Sequence, residues 1–304
     1  MCLEDNCGEV SEGRRTFLGG VFGALAASAF ASKVLGRQQQ PPPQQQPAEP
    51  LEPLALRDGG VVQGDFTFKS GAASMNAYLA RPKDKGRHTP VVVFWPNPGM
   101  TDDMRNTAAQ LAQGGFVGLI FDAYSRDAPL SAAQARERFE YYGSRAFDEL
   151  TRRDMEAGLE YLWRQPFVRR GPSGVVGFCG GARQALIFPT SRAGVGAVVA
   201  FYAPPVLATP FQSPKGPFKL DVMDVVDLIH VPVQFHQGTA DPLIPLADVQ
   251  RLERELKAQG TPAEFHYYEG AAHAFYDFTR PRFHPAAAKL AHGRMIEFLQ
   301  KHLR

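Results

Sequence analysis

Residues 90–95 read Pro-Val-Val-Val-Phe-Trp, with no charged or polar interruption. A strand with one wet face alternates, so an unbroken apolar run predicts a strand covered on both sides. Residues 116–121, 174–178, 196–202, 231–236 and 263–268 supply further strands. Residues 61–69 and 74–81 alternate instead, as an antiparallel pair does. Helical patterns fall between the strands, at 103–114, 147–165, 246–259 and 286–303. The first stops on Gly114-Gly115, and the second sets Met155, Leu159 and Leu162 on one face. Strands alternating with helices define an α/β class: a mostly parallel sheet with helices on both faces. Ligands of such sheets bind at the carboxyl ends of the strands. Hydrophobic residues are 44% of the 304, enough for one large core, and no linker-like stretch interrupts residues 56–304. One domain over residues 54–304 is expected, with no internal repeat.

The N-terminal residues carry other signals. Arg14-Arg15 precedes a short apolar run rich in Ala and Gly. Ala27-Ser28-Ala29 and Ala29-Phe30-Ala31 both offer small-residue cleavage sites. Residues 1–31 therefore read as a twin-arginine signal, with a basic tail and surface helix as the plainer alternative. Tat export machinery is the implied partner, and a periplasmic or secreted location follows. Residues 32–53 are a Gln/Pro-rich linker, since Gln and Pro build no packed core. Of the three cysteines, Cys2 and Cys7 would leave with the signal, so the mature chain would carry Cys179 alone. The charge balance, 33 basic against 31 acidic residues, lacks the basic surplus of a nucleic-acid binder. No run after the N-terminal region is long and apolar enough for a stable membrane span.

The chemistry is expected at the strand ends. Gly177-Phe178-Cys179-Gly180-Gly181 follows a buried strand and opens a helix, the setting of a nucleophile elbow. Gly177 would let strand and helix approach, and Gly181 would clear the first helical turn. The helix dipole favours negative charge at Cys179, and the N–H of Gly180 is placed for a developing oxyanion. Taken alone the motif fits a buried core cysteine equally well. Asp241 and His273 change that balance. Each sits in a loop after a strand, and the order nucleophile, acid, histidine suits this architecture. His273 would serve as base and then acid, with Asp241 fixing its tautomer. His236, His266 and His284 lack that context and read as structural. Pro96 and Pro98 have no N–H, which leaves Asn97 as the natural second oxyanion donor.

With these residues placed, the chain resembles the dienelactone hydrolase family (carboxymethylenebutenolidases) of the α/β-hydrolase superfamily, from about Phe68 to Leu303. The resemblance implies the α/β-hydrolase fold, a Cys179–His273–Asp241 triad and an oxyanion hole of Asn97 and Gly180. Residues 121–126, Phe-Asp-Ala-Tyr-Ser-Arg, are similar to the family segment whose arginine holds a substrate carboxylate. Arg126, with Tyr124 beside it, is then the candidate substrate-binding pair, and a solvated loop arginine is the competing reading. Two positions depart from the family. Pro96 stands where a glutamate usually helps control the thiol, so direct pairing of Cys179 with His273 is expected. Asp277 stands where the family's second carboxylate-binding arginine follows the histidine, and its negative charge would repel an anionic lactone, with Arg280 as the compensation.

The resulting expectation is a hydrolase that cleaves a small-molecule ester or lactone through an acyl-cysteine intermediate, with no metal or organic cofactor. One alternative is a promiscuous carboxylesterase or thioesterase on neutral substrates. Trp95, Tyr124, Phe178, Tyr202, Phe275 and Tyr276 could line an apolar mouth for it, although aromatics at such positions are more often core. The other alternative is a non-catalytic binding or redox-responsive protein that keeps the fold.

Overall fold

In the computed structural model, residues 60–94, 100–126, 145–191, 194–205 and 221–303 are described. The signal and linker readings (1–31 and 32–53), together with Trp95, Pro96 and Asn97, lie outside them. The described strands form one eight-stranded sheet in the order β1-β2-β4-β3-β5-β6-β7-β8. β1 (Val61–Ser70) and β2 (Ala73–Pro82) are antiparallel to each other, and β2 is antiparallel to β4 (Val117–Phe121). The remaining pairings are parallel, through β3 (Pro90–Phe94), β5 (Ser173–Phe178), β6 (Val195–Phe201), β7 (Val233–Gly238) and β8 (Ala263–Tyr268). The helices are α1 (Asp102–Gln113), α2 (Arg145–Trp163), α3 (Gly180–Ile187), α4 (Leu246–Ala258) and α5 (Pro285–Leu303). None of the described helices is long and apolar enough to cross a membrane.

The burial pattern follows the sequence. Every residue of β3, β4, β5 and β7 is buried: β3 and β4 as continuous apolar runs, β7 with Gln234, His236 and Gln237 buried as hydrogen-bonded side chains. β8 is the parallel edge strand, and all but its last residue are half-buried. Met155, Leu159 and Leu162 of α2 are fully buried on one face. β7 runs two residues past the expected end at His236, because Gln237 and Gly238 keep pairing with Tyr267 and Tyr268. Glycines set two close approaches. A Cβ on Gly118 would lie 2.6 Å from Ala108 O, so β4 lies directly against α1. A Cβ on Gly177 would lie 2.5 Å from Ala182 Cα, which brings α3 down onto β5 as the motif demands.

Charge is also buried. Arg183 of α3 is 2% exposed and binds Asp148 of α2 through two nitrogens, at 2.6 and 3.0 Å. Asp103, on α1, is buried with one oxygen accepting the Phe278 N–H at 3.3 Å and the other without a hydrogen bond. Burial first, then the nearby Asp277 carboxylate, holds the Asp103 carboxyl well above the usual carboxylate range, against the pull of Phe278 N–H and Arg280. A carboxyl raised on folding stabilises the fold fully below its unfolded value, and that contribution is lost as pH rises through the folded value. Asp103→Asn is therefore expected to be more stable than the parent at pH 8, by about 1–3 kcal/mol. The advantage should shrink to nothing near pH 4. Thermal melts of the two proteins from pH 4 to 9 check this, and a pH-independent difference would refute it.

Candidate active site

β5, β7 and β8 end on the same edge of the sheet, and the loops after them carry the three chemical side chains. Cys179 lies directly after β5, at φ 53° and ψ −122°, and acts as N-cap of α3. Its own N–H bonds Phe201 O at 3.0 Å, tying the elbow to β6. A positive φ is unfavourable for a residue with a Cβ, so the turn is strained and held by its surroundings. Gly180 opens α3, and its N–H is one of the first-turn donors with no partner inside the helix.

His273 brings the group together. Its Nε2 lies 3.2 Å from Cys179 Sγ, and its Nδ1 lies 2.8 Å from Asp241 Oδ2. The direct Cys179–His273 contact expected from the sequence is present. Asp241 is pinned on both oxygens. Oδ1 accepts the N–H groups of Leu243 and Ile244 at 2.8 and 3.1 Å, and Oδ2 also accepts Gln237 Nε2 at 3.2 Å. Burial would raise the Asp241 carboxyl, but His273 and those two N–H groups together hold it below the usual range. Burial likewise opposes charge on His273. The hydrogen bonds to Asp241 and Cys179, with their charges, outweigh it and raise the imidazole to about 9. Both contacts therefore favour a proton on His273, which lies between the Cys179 sulfur and the Asp241 carboxylate.

Several features at this edge have no counterpart in the sequence reading. Ala274 (φ 62°) and Tyr202 (φ 40°) join Cys179 as the described non-glycine residues with positive φ. The Tyr202 ring lies 5.0 Å from the His273 ring, so all three strained residues meet at one place. Gln237 is buried and donates to Asp241, and only its position beside Gly238 at a strand end could have marked it. The two loops are also laced together. Ala240 N donates to Ala271 O at 3.0 Å and Thr239 N to Tyr268 O at 2.9 Å.

Other expectations change. Phe178, Tyr202, Phe275 and Tyr276 do not line a mouth: all four are buried and pack on one another and on Phe201 beneath the site. Asp277 is buried and turned into its own loop, accepting from Thr279 N at 2.9 Å and pairing with Arg280 Nε at 3.3 Å. Arg280 thus neutralises Asp277 within the loop. Tyr124 and Arg126 lie in a short 3-10 turn at the carboxyl end of β4, and their side chains are outside the described residues. His236 is buried between Tyr268 Oη at 2.7 Å and Gln234 Oε1 at 2.9 Å, and burial holds it neutral. His284 caps α5 by accepting Ala287 N–H at 3.3 Å.

Eight strands in this order, with a thiol, a carboxylate and an imidazole following β5, β7 and β8, define an α/β-hydrolase. Comparison with known proteins makes the family specific. The profile of the dienelactone hydrolase family matches residues 75–303, and the chain belongs to that family. A Bradyrhizobium protein named as a probable 2-oxo-3-(5-oxofuran-2-ylidene)propanoate lactonase is 30% identical over 230 residues, covering 75% of this chain and 89% of the relative. The carboxymethylenebutenolidase of Pseudomonas putida is 30% identical over 211 residues, 66% of this chain and 80% of that one. Among solved structures, a dienelactone hydrolase-like promiscuous phosphotriesterase from metagenomic libraries superposes with a TM-score of 0.65 at 23% identity, covering 80% of this chain and 99% of that chain. An esterase of Pyrococcus furiosus shares the fold at TM-score 0.60 and 16% identity, over 80% and 93% of the two chains. This chain is a carboxylic ester or lactone hydrolase of the family.

Proposed function

We propose that the protein cleaves its ester or lactone through an acyl-cysteine intermediate on Cys179. The observation that carries this reading is the unbroken line from Cys179 Sγ through His273 to Asp241, at 3.2 and 2.8 Å. As Sγ attacks the carbonyl carbon its proton is held on His273 Nε2, and the N–H groups of Gly180 and Asn97 hold the oxygen that becomes negative. The tetrahedral intermediate collapses, the C–O bond breaks, and the leaving alkoxide takes the proton held on His273 Nε2. Neutral His273 then removes a proton from water, which attacks the thioester. The acid leaves and the proton returns to the Cys179–His273 pair. Asp241 keeps the Nδ1–H of His273 pointed toward itself throughout, so Nε2 is the nitrogen that faces the sulfur. Arg126 and Tyr124, at the end of β4, are proposed to meet the substrate on the same edge of the sheet.

The intermediate is directly testable. Mixing the protein with an excess of an aryl ester and quenching within the first turnover should add the mass of one acyl group, located on Cys179 by peptide mapping. No adduct, or an equal adduct on Cys179→Ala, would refute the reading and favour a binding protein that retains the fold. Parallel turnover of a dienelactone and a neutral aryl ester separates the two substrate classes. We further propose that the domain works outside the cytoplasm, after twin-arginine export directed by Arg14-Arg15. Loss of export of the full chain on Arg14→Lys/Arg15→Lys replacement is the expected result, and unchanged fractionation would argue against it.

A further inference from the structure

Asp103, in the first turn of α1, is 1% exposed and has no part in the chemistry so far, and Asn97 stands six positions before it. Its Oδ1 accepts the N–H of Phe278, five residues beyond His273, at 3.3 Å, and its Oδ2 has no hydrogen bond. Asp241 shows the contrast. That carboxylate accepts four hydrogen bonds on its two oxygens, from Leu243, Ile244, Gln237 and His273. An anion taken out of water needs such a set of donors, and a single N–H does not supply it. The surroundings of Asp103 therefore suit an uncharged carboxyl.

The Phe278–Asp103 hydrogen bond joins two parts of the site. On one side is the helix that follows Asn97, and on the other is the segment that carries His273. That segment is a tight turn, with Asp277 N donating to Ala274 O at 3.1 Å and Ala274 at φ 62°. A second tie, from Tyr276 Oη to Gln110 Oε1 at 3.1 Å, holds the same turn on α1. The Tyr202 phenol feels the charges of Asp103, Asp277 and Cys179 alike, and its ring lies 5.0 Å from the ring of His273. The buried acid and the thiol thus lie around one residue.

We propose that Asp103 is a positioning residue for the hydrolysis: as an uncharged acceptor it holds the His273 turn on α1, a role that rests on the acyl-cysteine reading above. Among the described residues, the ionisable groups that face it are Asp277, Tyr276 and Arg280 from the His273 turn and Tyr202 from the end of β6. Burial keeps both tyrosines neutral, and Arg280 is bound to Asp277 at 3.3 Å. An ionised Asp103 would attract the Phe278 N–H more strongly. Burial first, and then Asp277, oppose that charge and outweigh the gain. The anion therefore favours any arrangement that admits water or moves Asp277 away, and both take the turn off α1. The hold is complete while Asp103 is protonated and is lost as pH rises through its raised value.

The test compares the wild type, Asp103→Asn, which keeps an uncharged acceptor, and Asp103→Leu, which removes it, on an aryl ester from pH 5 to 10. At pH 6, Asp103→Leu should lower kcat by about tenfold or more with KM within about twofold, and Asp103→Asn should keep most of kcat. All three should lose activity at about pH 9 as His273 gives up its proton. The wild type should fall earlier, with an alkaline midpoint at least ~0.5 pH unit below that of Asp103→Asn. Superimposable profiles for these two proteins, full kcat in Asp103→Leu, or an Asp103→Asn as slow as Asp103→Leu would overturn the proposal. Should Asp103→Leu not fold, the two profiles decide alone. If no protein turns over the ester above the Cys179→Ala background, the acyl-cysteine reading has failed instead. Alkylation of Cys179 by iodoacetamide at pH 6, followed by peptide mapping, then reads the His273 contact without turnover. It should be slower in Asp103→Leu by about threefold or more and restored in Asp103→Asn, and equal rates in all three would overturn the proposal.

Discussion

Cys179→Ala is expected to reduce kcat/KM for an aryl ester by about 10⁴-fold or more, to the level of residual oxyanion stabilisation and binding. The sulfur is the atom proposed to form the covalent bond, and a methyl group offers no electron pair in its place. His273→Ala should fall nearly as far, because the imidazole holds both the proton of the sulfur and the proton of the leaving group. The double variant should be little worse than either single one, since the two side chains act as a unit. Folding supplies an internal control. Cys179 sits at φ 53°, so Cys179→Gly should melt higher than Cys179→Ala while being just as inactive. Steady-state assays and thermal melts of the four proteins check the set. Retention of more than about a tenth of the activity in Cys179→Ala would remove the thiol from the mechanism.

Gly238→Ala carries the second large effect, and it is one that no motif announces. A Cβ at Gly238 would lie 2.2 Å from Ala271 O and 2.7 Å from Ala271 C. Both are backbone atoms, so no side chain can swing aside, and the loop that carries His273 must move as a whole. The expected loss is about 3 kcal/mol or more of stability. At about 2–4 °C per kcal/mol for a domain of this size, Tm should fall by roughly 10 °C. Activity should suffer separately, by on the order of 10²-fold, because a displacement of about 1 Å in a reacting group is enough for that. Gly293→Ala is the matched control. Gly293 lies within α5 with open space where its Cβ would be, so alanine there should stabilise by about 0.5–1 kcal/mol. If Gly238→Ala melts with the wild type, the close contact of β7 with the His273 loop is refuted.

These two predictions draw on different levels of the molecule. Cys179 was visible from the sequence because an elbow needs a strand, small flanking residues and a helix in immediate succession, all within a few residues. The strands themselves were visible for a related reason. A strand buried on both faces is apolar where no side chain finds a buried partner, as in β3 and β4, and that pattern is local. Asp241 and His273 could be placed in strand-end loops by the same logic. Whether they meet is another matter. Cys179 and His273 are 94 positions apart, and their contact depends on β5, β6, β7 and β8 lying side by side in that order. No local period encodes neighbour order in a sheet.

The positions open to two readings have the same origin. Phe178, Tyr202, Phe275 and Tyr276 sit at strand ends or just after His273, and in one dimension they could face either the site or the core. Packing on Phe201 decided for the core. Asp277 looked like a charge offered to a substrate until its turn closed on Thr279 and Arg280. The sequence by itself determined the α/β class, the strands of the sheet, the elbow at Cys179 and the loops that bear Asp241 and His273, because each is written in residues close together along the chain. Only the tertiary structure set the 3.2 Å approach of Sγ to Nε2, the raised proton affinity of His273 and the close contact at Gly238. Those depend on distances between residues far apart in sequence, and only a completed sheet sets them.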